Sequence, residues 1–197
     1  MIRLMVGLGN PTARYEKTRH NAGFWFLDEV ARSFGATFRD EARFHGSVAR
    51  IDQSAETLIL LKPSTYMNRS GLAVLAAQSY FKVPVDQILV AHDELDLEPG
   101  VVRLKKGGGH GGHNGLRDMA LHLKSTDFYR IRLGIGHPGD RAQVANYVLD
   151  APSKVDACQI DDAIGRVLRC LPEILSGDFA WAMNVLNAKN GDLKKGD

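Results

Sequence analysis

The chain has 197 residues, 44% of them hydrophobic and 24% charged. These are ordinary globular proportions, which exclude wholesale disorder, and the length suits one domain with a real buried core. Lys and Arg number 25 against 23 Asp and Glu, a net charge of +2 that by itself names no partner.

Residues 2–6 read as a buried first strand. Leu27, Val30, Ala31 and Phe34 recur at i, i+3, i+4, i+7, the period of an amphipathic helix. Residues 47–51 and 57–61 read as strands, the second stopped by Pro63. Ser70 is expected to cap a helix bearing Leu72, Leu75 and Ala76. Residues 87–91 and 101–104 are strand-like, parted by a turn at Pro99-Gly100. Asn114 is expected to cap a helix with Leu116, Met119, Ala120 and Leu123, and residues 131–135 return to strand. Ala157, Ile160, Ile164, Val167, Leu168 and Leu171 repeat at helical spacing, and Pro172 is expected to end or kink that helix. The alternation argues for an α/β fold. We expect a single domain over residues 1–187: a twisted mixed β-sheet with helices on both faces and a helical C-terminal region. Residues 188–197 are polar and charged and read as a frayed tail.

Two cysteines, Cys158 and Cys170, with no CxxC, argue against a disulfide-framed secreted module and a zinc ribbon. The N-terminus, MIRLMVGLGN, does not read as a signal peptide, and no stretch approaches the ~18–20 apolar residues that span a bilayer. The expected setting is soluble and cytoplasmic, away from membranes. Charge is uneven. Between Asp86 and Glu98 stand five acidic residues and no Lys or Arg; between Val101 and Ile135 stand seven Lys or Arg against two Asp. The basic stretch suits either a polyanion or a solvated face.

Gly7-Leu-Gly9 follows the first strand, but Thr12 occupies the third glycine position of a dinucleotide fingerprint and Pro11 interrupts it. What remains is a tight turn at the carboxyl end of a strand, where open α/β sheets place ligands. The run from Lys106 to Gly115 holds six glycines without the Lys-Ser/Thr ending of a phosphate loop. It ends at a helix N-terminus, which favours anions and carbonyl oxygens, and reads as a mobile loop lining a site. His92, Asp93, His110 and His113 raise the question of a metal, but HExxH is absent and HxxH inside a glycine run offers poor ligand geometry. No metal is expected. His20 and Asp93 both fall near strand ends, which one sheet can bring together. The carboxylate would then hold the imidazole as a general base, although a structural histidine has the same spacing. With no GxSxG serine, a histidine-activated water is the simplest chemistry.

Five blocks then stand in order: Val6-Gly-Leu-Gly-Asn-Pro with Tyr15 and Thr18-Arg-His-Asn-Ala-Gly; Lys62-Pro-Ser-Thr-Tyr-Met-Asn-Arg-Ser-Gly; His92-Asp-Glu-Leu-Asp-Leu-Glu-Pro-Gly; Gly107-Gly-Gly-His-Gly-Gly-His-Asn-Gly-Leu; and Arg130-Ile-Arg-Leu-Gly-Ile-Gly-His-Pro-Gly. Together they closely resemble the bacterial peptidyl-tRNA hydrolase family. The resemblance implies hydrolysis of the ester between a peptide and the 3′ ribose of tRNA. It implies a monomer with no metal or organic cofactor and no obligate protein partner. It makes His20 the catalytic residue, with Asp93 orienting it and Asn10 beside them. It implies that Asn10, Asn68 and Asn114 line the peptide and ester site with Met67, and that Tyr15, Tyr66 and His113 join the substrate contacts. By the same resemblance, Lys105 and Arg132 are expected to clamp the tRNA 5′ phosphate. Here Lys106 follows Lys105 where relatives carry an apolar residue, which leaves open which lysine serves. Two readings compete with this one: a non-catalytic RNA-binding module, and a hydrolase of small esters or a metallopeptidase. The set of His20, Asp93 and the asparagines argues against the first, because binding alone needs none of them.

Overall fold

The computed structural model describes residues 1–53 and 56–188. In chain order, the first half contains β1 (Leu4–Gly7), α1 (Ala22–Ser33), β2 (Arg39–Glu41), β3 (Gly46–Asp52), β4 (Thr57–Pro63), α2 (Ser70–Phe81) and β5 (Ile88–Glu94). The second half contains β6 (Val102–Lys106), α3 (Asn114–Leu123), β7 (Tyr129–Gly134), α4 (Val144–Val148), α5 (Lys154–Arg169), α6 (Leu171–Ser176) and α7 (Phe179–Asn187). The strands form one sheet in the order β2-β3-β4-β1-β5-β7-β6. Its centre, β4-β1-β5-β7, is parallel; β2 and β3 extend it antiparallel on one side and β6 on the other. The central strands are almost uninterrupted apolar runs because helices cover both faces. On one face, Phe26, Leu27 and Val30 of α1 pack with Ile160, Ile164 and Val167 of α5 and with α6 and α7. On the other, Ala73, Val74 and Ala77 of α2 pack with Leu116 and Met119 of α3. Among the described residues no helix is long and apolar enough to cross a membrane.

The α/β architecture and the order of elements match expectation; several local details differ. Ser70 does not cap α2. It is the first helical residue, and its hydroxyl donates to the Met67 carbonyl at 2.9 Å. The buried face of α2 is Ala73, Val74 and Ala77, with Leu72 and Leu75 half-buried, because α3 lies against that side. Asn114 opens α3 but the cap is His113, whose Nδ1 accepts from the N–H groups of Gly115 and Leu116. The predicted C-terminal helix stops at Arg169; Leu171 belongs to α6, and Pro172 lies in that helix's first turn, where its missing N–H costs nothing. The short edge strand β2 is exposed and polar, so periodicity gives no sign of it. Of the tail expected over 188–197, residues 189–197 lie outside the described residues.

Candidate active site

The site is built at the carboxyl ends of the central parallel strands. Helix α1 lies directly on the sheet because Gly23 has no side chain: a Cβ there would stand 2.3 Å from the Ala91 carbonyl oxygen. That contact fixes the 3-10 turn Arg19–Asn21, immediately before α1, over the ends of β1 and β5. His20 sits in this turn and Asp93 near the end of β5, both buried. The His20 Nδ1 lies 2.9 Å from each Asp93 carboxylate oxygen. With Nδ1–H donating there, the neutral ring leaves Nε2 with a lone pair and no hydrogen-bond partner among the described residues. Burial alone would lower the His20 pKa, but the charge and hydrogen bond of Asp93 outweigh it and raise the pKa above its ordinary value.

Asp93 has a second donor. The Nε2 of His113 lies 3.0 Å from Asp93 Oδ1, and the two histidine rings tilt together with centroids 5.0 Å apart. Because Nδ1 of His113 accepts from the first N–H groups of α3, its ring proton sits on Nε2. Burial alone would raise the Asp93 pKa, but the two histidines hold it far below the usual carboxylate range. His92 stands behind them. Its Nδ1 donates to the Asp93 carbonyl at 2.7 Å, its Nε2 is buried without a partner among the described residues, and burial above all pushes its pKa down to about 3.

Asn10 is held from two sides. Asn21 accepts from the Asn10 N–H at 2.8 Å and donates to the Asn10 carbonyl at 3.0 Å. The Asn10 Oδ1 accepts from the Met67 N–H at 2.8 Å, which leaves Nδ2 as the free donor. The start of α3 packs on the Met67 turn, where a Cβ at Gly115 would stand 2.6 Å from Met67 Sδ. Asn68 and Asn114 therefore emerge from adjacent turns, both exposed, with the Asn114 Oδ1 accepting from Arg117 at 2.8 Å. Tyr15 and Tyr66 meet edge to face at 6.4 Å, Tyr66 largely exposed.

The glycine run is tied down by Arg130, which is buried and donates to the carbonyls of Gly108 and Gly109. Nearby, Arg132 donates from Nε to Glu94 at 2.9 Å. Lys105 is exposed and has no ion-pair partner among the described residues, whereas Lys106 lies 3.5 Å from Asp127. The ladder pairs Lys105 with Arg130 and Arg103 with Arg132, so Lys105 and Arg132 are diagonal neighbours.

The structure thus brings His20, Asp93 and His113 into contact, joins Asn10 to Met67, and leaves Asn68 and Asn114 exposed beside Met67. Sequence reasoning gave no role to Asn21, Arg130 or Glu94. Asn21 lies inside a quoted block, next to His20. The partners of Arg130 are carbonyls, which leave no mark in a sequence. The donor atoms of His20, Asp93 and His113 lie within 4.8 Å of one another, a spacing a cation could use. A metal on His113 would need a bare Nε2 and a proton on Nδ1, directed at two N–H donors. The donor chemistry fits a hydrogen-bonded carboxylate, not a cation site.

The family model for peptidyl-tRNA hydrolase matches residues 4–194. A peptidyl-tRNA hydrolase of Methylobacillus flagellatus is 54% identical over 95% of this chain and 97% of its own length. One from Neisseria meningitidis is 52% identical over 95% and 98%. The crystal structure of the peptidyl-tRNA hydrolase from Acinetobacter baumannii superposes with a TM-score of 0.92 at 45% identity, covering 95% of each chain. With a family model spanning nearly all of its length and relatives this similar, the chain belongs to the peptidyl-tRNA hydrolase family.

Proposed function

We propose that His20, oriented by Asp93, activates the water that cleaves the ester of a peptidyl-tRNA. Peptidyl-tRNA hydrolysis itself follows from the family. The observation that carries the residue assignment is the pairing of His20 Nδ1 with Asp93 at 2.9 Å, which turns Nε2 into the ring's available nitrogen, while Asn10, tied to Asn21 next to His20, keeps Nδ2 as a donor. Nε2 takes a proton from water as the oxygen attacks the ester carbonyl. The developing oxyanion accepts from Asn10 Nδ2, and Asp93 supports the imidazolium. That imidazolium returns the proton to the ribose 3′ oxygen, so the products are a peptide carboxylate and a tRNA 3′ hydroxyl. Asn68 and Asn114 offer amides to the peptide backbone, common to every substrate, and Tyr15 and Tyr66 border them.

Lys105, without an acidic partner among the described residues, and Arg132, aimed by Glu94, are the 5′ phosphate contacts; Lys106 is engaged by Asp127. Every group comes from one chain, so the chemistry calls for no second copy, and a monomer in the cytoplasm suffices.

The test is release of the N-acetyl-amino acid from N-acetyl-aminoacyl-tRNA. The His20→Ala variant is expected to lose about 10²–10⁴ in rate while binding tRNA normally. EDTA is expected to leave the wild type unchanged, and removing the 5′ phosphate is expected to raise KM more than it lowers kcat. Activity above a tenth of wild type in His20→Ala would remove His20 from the role of base.

A further inference from the structure

Two histidines share one buried carboxylate here, and ester hydrolysis uses the free nitrogen of just one of them. A general base must be unprotonated when water arrives, yet a buried Asp93 bonded through both oxygens favours the protonated ring. The second histidine bears on that conflict. His113 donates from Nε2 to Oδ1, one of the two oxygens that face His20. Its tautomer is not adjustable: Nδ1 accepts from Gly115 and Leu116 at 3.2 and 3.3 Å, so the helix N-terminus commits the ring to one donor facing Asp93. The side chain is 8% exposed, which leaves little room for water to replace it.

We infer that His113 is a positioning residue that tempers the pull of Asp93 on His20, dividing the carboxylate's charge between two donors so that the base stays available near neutral pH. The inference rests on the reading of His20 as base. A hydrogen bond to an ionised carboxylate stabilises its charge and makes it a weaker partner for a second cation. The other groups around His20 do not do this. From β5, His92 directs its donor to the Asp93 backbone, and its ring meets that of His113 with centroids 5.1 Å apart. From the turn of His20 itself, Arg19 points away, donating to the carbonyls of Tyr147 and Asp150 and lying over the Tyr147 ring. The α4 side presents that Tyr147, whose hydroxyl donates to the Ile135 carbonyl. The first turn of α1 presents Ala22 and Gly23, which carry no charge.

The test is the titration of the His20 ring, followed by NMR in the free protein. His113→Leu fills the space without a donor, and His113→Gln places an amide N–H near the lost Nε2; both lose the α3 cap. The midpoint is expected to rise by about one pH unit in the Leu variant and to return close to wild type in the Gln variant. An unmoved midpoint in His113→Leu, or an equal shift in both, would overturn the inference and leave His113 as a helix cap. The acid limb of kcat/KM is expected to follow the NMR midpoint. If the midpoint moves and the limb does not, His113 keeps its role and His20 loses its own, so the two readings fail separately.

Discussion

Asn21 touches no reacting atom, yet both ends of its side chain hold the backbone of Asn10. Asn21 is 3% exposed, so its loss would strand an N–H and a C=O away from water. Each stranded group costs about 1–3 kcal/mol. It would also let the Asn10 amide turn from the Met67 N–H that now fixes it. Asn21→Ala is therefore expected to lower the melting temperature and, separately, to cut kcat at nearly unchanged KM, since an oxyanion donor acts mainly in the transition state. Thermal unfolding with steady-state kinetics on N-acetyl-aminoacyl-tRNA checks this; a kcat equal to wild type would show that Asn10 holds its place unaided. At this scale the strand ends allowed a contact between His20 and Asp93 but equally a structural histidine, and the structure shows the contact. The sharing of Asp93 by His113 was not: it depends on where a helix cap falls, and that is decided by packing of α3 on Met67.

The central strands could be read from their apolar runs, since burial on both faces leaves no polar alternation to confuse them. Caps could not. Ser70 and Asn114 are good capping types, but each is displaced by one residue, and in α3 a histidine takes the part because its ring is already anchored on Asp93. The edge of the sheet shows what else sequence patterns conceal. β6 is an outer strand, and free N–H and C=O groups along such a strand invite pairing with other chains. At Leu104 they are covered by the side chain of Asn187: Oδ1 accepts from the N–H at 2.8 Å and Nδ2 donates to the carbonyl at 2.9 Å. This repeats the device by which Asn21 holds Asn10. Asn187→Ala is expected to cost about 1–2 kcal/mol and to speed hydrogen exchange at the Leu104 amide at least about tenfold. Unchanged protection of that amide would mean that β7 and the body of α7 guard the edge without Asn187.

For the molecule as a whole, the buried titratable groups of the site set how stability responds to acid. His92 has a folded-state pKa of about 3 against an ordinary 6.5, chiefly through burial. Below pH 6.5 the unfolded chain therefore takes up a proton that the folded chain refuses, and stability falls as pH falls from 6.5 towards 3. A single such group contributes a slope of up to ~1.4 kcal/mol per pH unit. Asp93, whose folded-state pKa is lowered, gives stability that is present above the ordinary carboxylate value and is lost only below it. His20 works the other way: its raised pKa gives stability that is full below its ordinary value and is lost as pH rises through the folded one. Between pH 4.5 and 5.5 His20 is protonated in both states and Asp93 is ionised in the folded one, so the His92 slope stands largely by itself among these three. His92→Asn keeps a side-chain donor for the Asp93 carbonyl and removes the titration. The smaller side chain lowers stability at every pH by leaving a void, so the slope is what matters and not the level. Urea unfolding at pH 6.5, 5.5 and 4.5 is expected to show wild type losing about 1 kcal/mol per pH unit more than His92→Asn. Parallel stability curves for the two proteins would place a proton on the buried His92 ring in the folded state, and its Nε2 would then need a partner that none of the described residues supplies.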